Sequence, residues 1–175
     1  MRRDTSSMWN RWGDPVPSKW MSWIVFVAIC FGAAAVGGWF TNSSVKTWYP
    51  GLLKPAGTPP SWVFGPVWSV LYLLMATASW LVWRERHAHD VWLPLGLYFS
   101  QLVLNALWSL IFFGLQRPSL VFFEILILLL AIVLTAISFS EYSRCAFWLM
   151  TPYLGWVGYA TYLNFGFWRL NRGVA

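Results

Sequence analysis

The chain is 175 residues long, 58% hydrophobic and only 10% charged, with a mean hydropathy of +0.55. That balance lies outside the range of soluble globular domains and leaves room for one domain built of membrane-spanning segments. The net charge of +6 sits in tails and loops, so it bears on membrane orientation, and no nucleic-acid partner is expected.

The tail at 1–19 is not a clear targeting peptide, because it carries Asp4 and Asp14 where transit peptides avoid acids. The first apolar run, 20–40, is too long for a signal segment and is expected to be retained. Pro15 and Pro17 precede it. Within it, FGAAAVGG makes two small-xxx-small pairs, Ala33/Gly37 and Ala34/Gly38, which let helices approach closely in lipid. A homodimer seam and close packing inside one bundle both fit that pattern. A connection of about 20 residues follows, with Pro50, Pro55, Pro59 and Pro60 stiffening it; loops of this length tend to be lids or binding loops. The remaining runs, 61–83, 92–113, 119–139 and 146–168, are each long enough to cross a hydrocarbon core of about 30 Å. Their connections are short, which predicts antiparallel neighbours. No alternating pattern competes for a barrel. The reading is an all-α membrane protein, a five-helix transmembrane domain over 20–171 with a tail at 172–175.

Seven cations fall on the side of the N-terminus and five on the other, too even a split to fix orientation. Cys30 and Cys145 match no metal or redox spacing and read as small apolar fillers.

Fifteen tryptophans carry the most information. Twelve fall in tails, loops or helix ends, among them Trp9, Trp12, Trp23, Trp48 and Trp80, and read as interfacial anchors or loop residues. Trp68, Trp108 and Trp156 lie inside spans. Helical spacing places each on a stripe: Trp68, Tyr72, Met75 and Ser79; Gln101, Asn105, Trp108 and Phe112; Tyr153, Trp156, Ala160 and Asn164. Amides are costly against lipid, so these stripes should face the bundle interior. At 1.5 Å per residue, Trp108, Trp68 and Trp156 lie roughly 8, 10 and 18 Å beneath the long loop. The predicted site is a pocket among the second, third and fifth helices, capped by that loop. Close packing of the same residues is the alternative, but Ala160 leaves room where a packed core would fill it.

Three segments then carry a resemblance: WYPGLLKPAGTPPSWVFGPVWSVLY, PLGLYFSQLVLNALWSLIFFG and PYLGWVGYATYLNFGFWRLN. They resemble the tryptophan-rich sensory protein / translocator protein family, also called the peripheral benzodiazepine receptor family, over about residues 20–171. The resemblance implies a five-helix bundle, often dimeric, that binds porphyrins, haem, sterols and isoquinoline or benzodiazepine-type drugs. It implies the mitochondrial outer membrane in a eukaryote and a cell-envelope membrane in a bacterium. The positions matching the family's ligand contacts are Tyr49, Pro59, Trp68, Asn105, Trp108, Trp156 and Ala160; Tyr153 and Asn164 join them from the stripes. The family's sterol motif is degenerate here, running Leu163, Phe165, Arg169, with Phe where Tyr is expected.

No catalytic or metal constellation is visible. His87, His89 and Asp90 fall in a surface loop, so a bound haem would lack the commonest axial ligand. A tetrapyrrole would be held as a ligand, not an obligatory cofactor, by aromatic stacking and burial, with Asn105 as polar anchor and Lys46 or Lys54 reaching carboxylates. Glu124, the one acid well inside a span, either faces other helices or sits near the headgroups. Three functions follow: a receptor or sensor, a transporter of tetrapyrroles or sterols, or a porphyrin-degrading enzyme. A pocket open to one side favours the first.

Overall fold

The computed structural model describes residues 16–172, and over that range it is helical without strands. Trp9, Trp12 and Pro15 lie outside the described residues. Five helices follow in order: α1 Val16–Ser44, α2 Ser61–Trp83, α3 Trp92–Ser109, α4 Pro118–Ser140 and α5 Arg144–Leu170. The bounds of α2 are those expected. Helices α1, α4 and α5 reach beyond the apolar runs at 20–40, 119–139 and 146–168, whereas α3 stops short of 113, at Ser109, where a π-helical turn takes over. Pro17 falls within the first turn of α1, and Pro118 opens α4; a missing N–H costs nothing there. The start of α5 is set by Ser143, whose hydroxyl accepts from the Ala146 N–H at 3.2 Å.

Helices α1 to α4 each carry a window long and apolar enough to cross a membrane. At 27 residues α5 is about 40 Å long, ample to span, but polar residues dilute its hydropathy. Two of these, Tyr153 and Asn164, are buried inside the bundle, while Tyr159, Tyr162 and Arg169 are exposed. The chain is an integral membrane helical bundle.

The helices close a ring in the order α1, α2, α5, α4, α3 and back to α1. This corrects the expectation that sequential helices are neighbours throughout: α2 and α3 lie across the ring and touch sparingly. Their connection includes a 3₁₀ turn at Arg84–His87, and its Asp90 carbonyl accepts from the Tyr142 hydroxyl at 2.7 Å. The half of the bundle near that connection is filled. Cys30, Met75, Ala78, Val82, Tyr98, Ile132, Phe139, Ala146 and Met150 are fully buried there and in the middle. The half beneath the long loop is only partly filled, by a second buried cluster of Tyr49, Leu52, Phe112, Phe113, Val121, Leu163 and Phe167.

Trp20, Trp39, Trp62, Trp92 and Trp148 are exposed, as anchors should be. Trp80 is not. It is buried, and its indole N–H donates to the Ser22 hydroxyl at 3.3 Å. Trp23 likewise donates to Thr77, at 3.3 Å, and Trp48 packs edge-on against Phe112. A tryptophan at a helix end anchors or packs according to the rotation of its helix, which composition does not reveal.

Candidate ligand-binding site

The partly filled half holds a cavity of about 510 Å³. Trp68 of α2, Asn105 and Trp108 of α3, and Trp156, Ala160 and Asn164 of α5 all line it, as does Tyr49 from the loop. The inward stripes hold: Tyr72, Met75, Ser79, Gln101, Asn105, Phe112, Tyr153 and Asn164 are buried, with the three tryptophans half-buried around the space. The wall is wider than expected. Phe31, Ala34, Gly37 and Thr41 of α1 and Ile125 and Leu128 of α4 contribute, so all five helices enclose the site.

Two expected contacts stand elsewhere. Tyr153 is fully buried behind the wall and does not line the cavity. Its hydroxyl donates to Gln101 Oε1 at 3.0 Å and accepts from Asn105 Nδ2 at 3.1 Å, while Tyr72 donates to Asn105 Oδ1 at 2.6 Å. Tyr153 therefore fixes the Asn105 amide, and with it the orientation of the polar wall. The proline at position 59, Pro59, is half-buried in the loop and is not part of the lining.

The walls are mostly rings. Trp108 stacks on Phe112 with centroids 5.2 Å apart, Trp68 packs on Tyr72 at 5.4 Å, and Phe64 meets Trp156 edge-on at 5.9 Å. A π-helical turn at Leu110–Gly114 continues α3 and was not legible beforehand. Its wider turn brings the adjacent Phe112 and Phe113 both inward, and the Ser44 hydroxyl binds the Phe113 carbonyl at 2.6 Å. Two buried polar atoms on lining residues have no protein partner: Trp108 Nε1 and Asn164 Oδ1. Glu124 is also buried within the bundle with both oxygens unpartnered, and it is not part of the cavity lining.

The loop is a stapled lid. A 3₁₀ turn at Tyr49–Gly51 drops Tyr49 among Phe112, Phe113 and Phe167, and burial pushes its phenol pKa up from 10.0. Lys54 lies 4.8 Å over that ring, and both it and Lys46 are exposed. The Leu53 N–H donates to Asn171 Oδ1 and the Leu53 carbonyl accepts from Asn171 Nδ2, both at 3.0 Å. Tyr159 donates to the Gly57 carbonyl and Tyr162 to that of Ala56. Gly57 has φ +84, a left-handed conformation that presents its carbonyl to Tyr159 and suits glycine. Pro55 lies so close to Gly166 that a Cβ there would sit 2.5 Å from the proline ring.

The small residues of α1 divide. Ala33 and Ala34 pack against the core, and a Cβ on Gly37 would meet Ser109 Oγ at 3.0 Å, a close approach of α1 to α3 within the bundle. Gly38 meets nothing within 4 Å. The sterol-motif residues do not share a face: Leu163 is buried toward the cavity, while Phe165 and Arg169 are exposed, Phe165 against Phe122 and Trp168. His89 packs on Tyr142 in the 2–3 connection, away from the cavity.

The family model for the TspO/MBR family matches residues 26–169, which takes in the lid, all of α2, α3 and α4 and most of α1 and α5. The chain is 42% identical to the tryptophan-rich protein TspO of Archaeoglobus fulgidus over 77% of its own length and 87% of that protein. It is 40% identical to the human translocator protein over 79% and 83% of the two chains. A tryptophan-rich protein TspO of Chlorobaculum tepidum matches at 38%, over 83% and 92%. Long matches of this identity, spanning the helices, lid and cavity described above, place the chain in one group: it belongs to the TspO/MBR family.

Proposed function

We propose that the chain is a membrane receptor or sensor whose cavity takes porphyrins, haem and protoporphyrin IX among them, and other flat hydrophobic ligands such as sterols and isoquinoline or benzodiazepine-type drugs. The observation that carries this reading is three half-buried tryptophans around one apolar cavity of about 510 Å³ under a stapled lid. Rings offer a tetrapyrrole stacking faces, and burial of its apolar surface drives binding at about 25 cal/mol per Å² before ordering costs. Trp108 Nε1 supplies an unsatisfied donor and Asn164 Oδ1 an unsatisfied acceptor, so a ligand bearing matching polar groups relieves both. Family membership supports the receptor reading. The host membrane is then the mitochondrial outer membrane in a eukaryotic cell and the cell envelope in a bacterial one.

Protoporphyrin IX should quench the intrinsic tryptophan fluorescence of the reconstituted protein saturably. Trp156→Ala and Asn105→Ala should raise the midpoint, whereas Trp83→Ala should leave it in place, because Trp83 packs against Phe26 and Trp92 outside the cavity. Equal shifts from all three variants would refute the assignment. Saturable tetrapyrrole flux across sealed proteoliposomes would make the protein a transporter instead, and catalytic loss of the porphyrin absorbance would make it an enzyme.

A further inference from the structure

The cavity wall has six exposed residues among those described, and all belong to α1 or α2: Phe31, Gly38 and Asn42 on one, Ser61, Gly65 and Ser69 on the other. Its lining residues on α3, α4, α5 and the lid are buried or half-buried. The opening is therefore lateral. We infer that ligands enter and leave sideways from the bilayer, through a gap between the lid-proximal halves of α1 and α2, while the lid stays shut.

The two helices are tied at the far end, where Trp23 bonds Thr77 and Trp80 bonds Ser22. The contact of Phe31 with Tyr72, at 6.3 Å between rings, closes the bottom of the gap. Above it the exposed lining residues are small or polar, Gly38 and Asn42 on α1 and Ser61, Gly65 and Ser69 on α2, and a Cβ added at Gly38 or Gly65 would meet nothing within 4 Å. From Phe31 to Asn42 the gap is about 16 Å tall, enough for a flat ring to pass edge-on. Exposed Trp39 and Trp62 mark the headgroup level, so the part of the gap below them lies at acyl-chain depth, where a hydrophobic ligand is already concentrated. The alternative route is costly. Opening the lid breaks the paired Leu53–Asn171 bonds and those of Tyr159 and Tyr162, lifts Pro55 from Gly166, and takes the ligand through water.

The inference rests on the binding function proposed above, and stopped-flow quenching by protoporphyrin IX in proteoliposomes separates the two. No saturable quenching of the wild-type protein would defeat the binding function itself. Given quenching, Gly38→Leu with Gly65→Leu should slow association and dissociation together, by about tenfold, as obstruction of a path requires. A disulfide joining Leu53→Cys to Asn171→Cys, in a Cys145→Ser background, pins the lid and should leave the association rate equal to that of the same protein reduced. Slow loading of the pinned protein would overturn the lateral route. So would portal substitutions that leave both rates unchanged, or that raise only dissociation, which would make the gap a binding wall and not an entrance.

Discussion

The hydrogen bond between Tyr72 and Asn105 offers a quantitative test of how the cavity wall is held. The Tyr72 hydroxyl donates to Asn105 Oδ1 at 2.6 Å, Asn105 is buried, and the Asn105 amide donates onward to Tyr153. Asn105→Leu keeps the volume and deletes both bonds. Tyr153 retains Gln101 as its acceptor, so the uncompensated loss falls on the Tyr72 hydroxyl, whose desolvation without a partner costs about 1–3 kcal/mol. Tyr72→Phe removes the hydroxyl and leaves Asn105 Oδ1 unpaired. The double variant removes both partners, so its destabilisation should be less than the sum of the two. Interhelical bonds in membrane proteins average about 0.6 kcal/mol and reach about 1.7; this buried, short one belongs near the upper figure. The assay is reversible unfolding in mixed micelles on the four proteins of the cycle. A coupling energy indistinguishable from zero would refute the claim that this bond joins α2 to α3 across the ring.

Gly37→Ala should destabilise by about 1–3 kcal/mol through overpacking against Ser109, and Ser109→Gly should restore most of it; additivity in the same unfolding assay would deny the close α1–α3 approach. Gly166→Ala should displace Pro55 and expose the lid, read as faster hydrogen exchange at 52–58 with the core amides unchanged. Tyr49 has a folded pKa above its unfolded value of 10.0, so its contribution to stability is complete below about pH 10 and is lost as pH rises through the folded value. Tyr49→Phe should accordingly lessen the alkaline loss of stability, and an unchanged pH profile would contradict burial of that phenol.

Much of this architecture is written in the order of the residues. Runs of apolar residues without alternation dictate helices, because only a helix satisfies every backbone group within one segment in lipid. The spacing of Gln101 with Asn105 and of Tyr153 with Asn164 fixes which faces turn inward, since amides and phenols seek partners away from lipid. Those two facts place Trp68, Trp108 and Trp156 around one space beneath the lid. Tertiary structure decided what depends on neighbours distant in the chain. Gly37 and Gly38 are adjacent and chemically the same, yet one abuts Ser109 and the other borders an opening, because the rotation of α1 is set by what it packs on. Trp80 sits at a helix end like an anchor and is buried, for the same reason. Tyr153 shares a stripe with Trp156 but supports Asn105 from behind, a distinction of depth that a helical wheel does not contain. Periodicity sets the direction each side chain takes from its own helix. Whether that direction ends in a neighbour, a cavity or lipid is settled only when the ring of five closes.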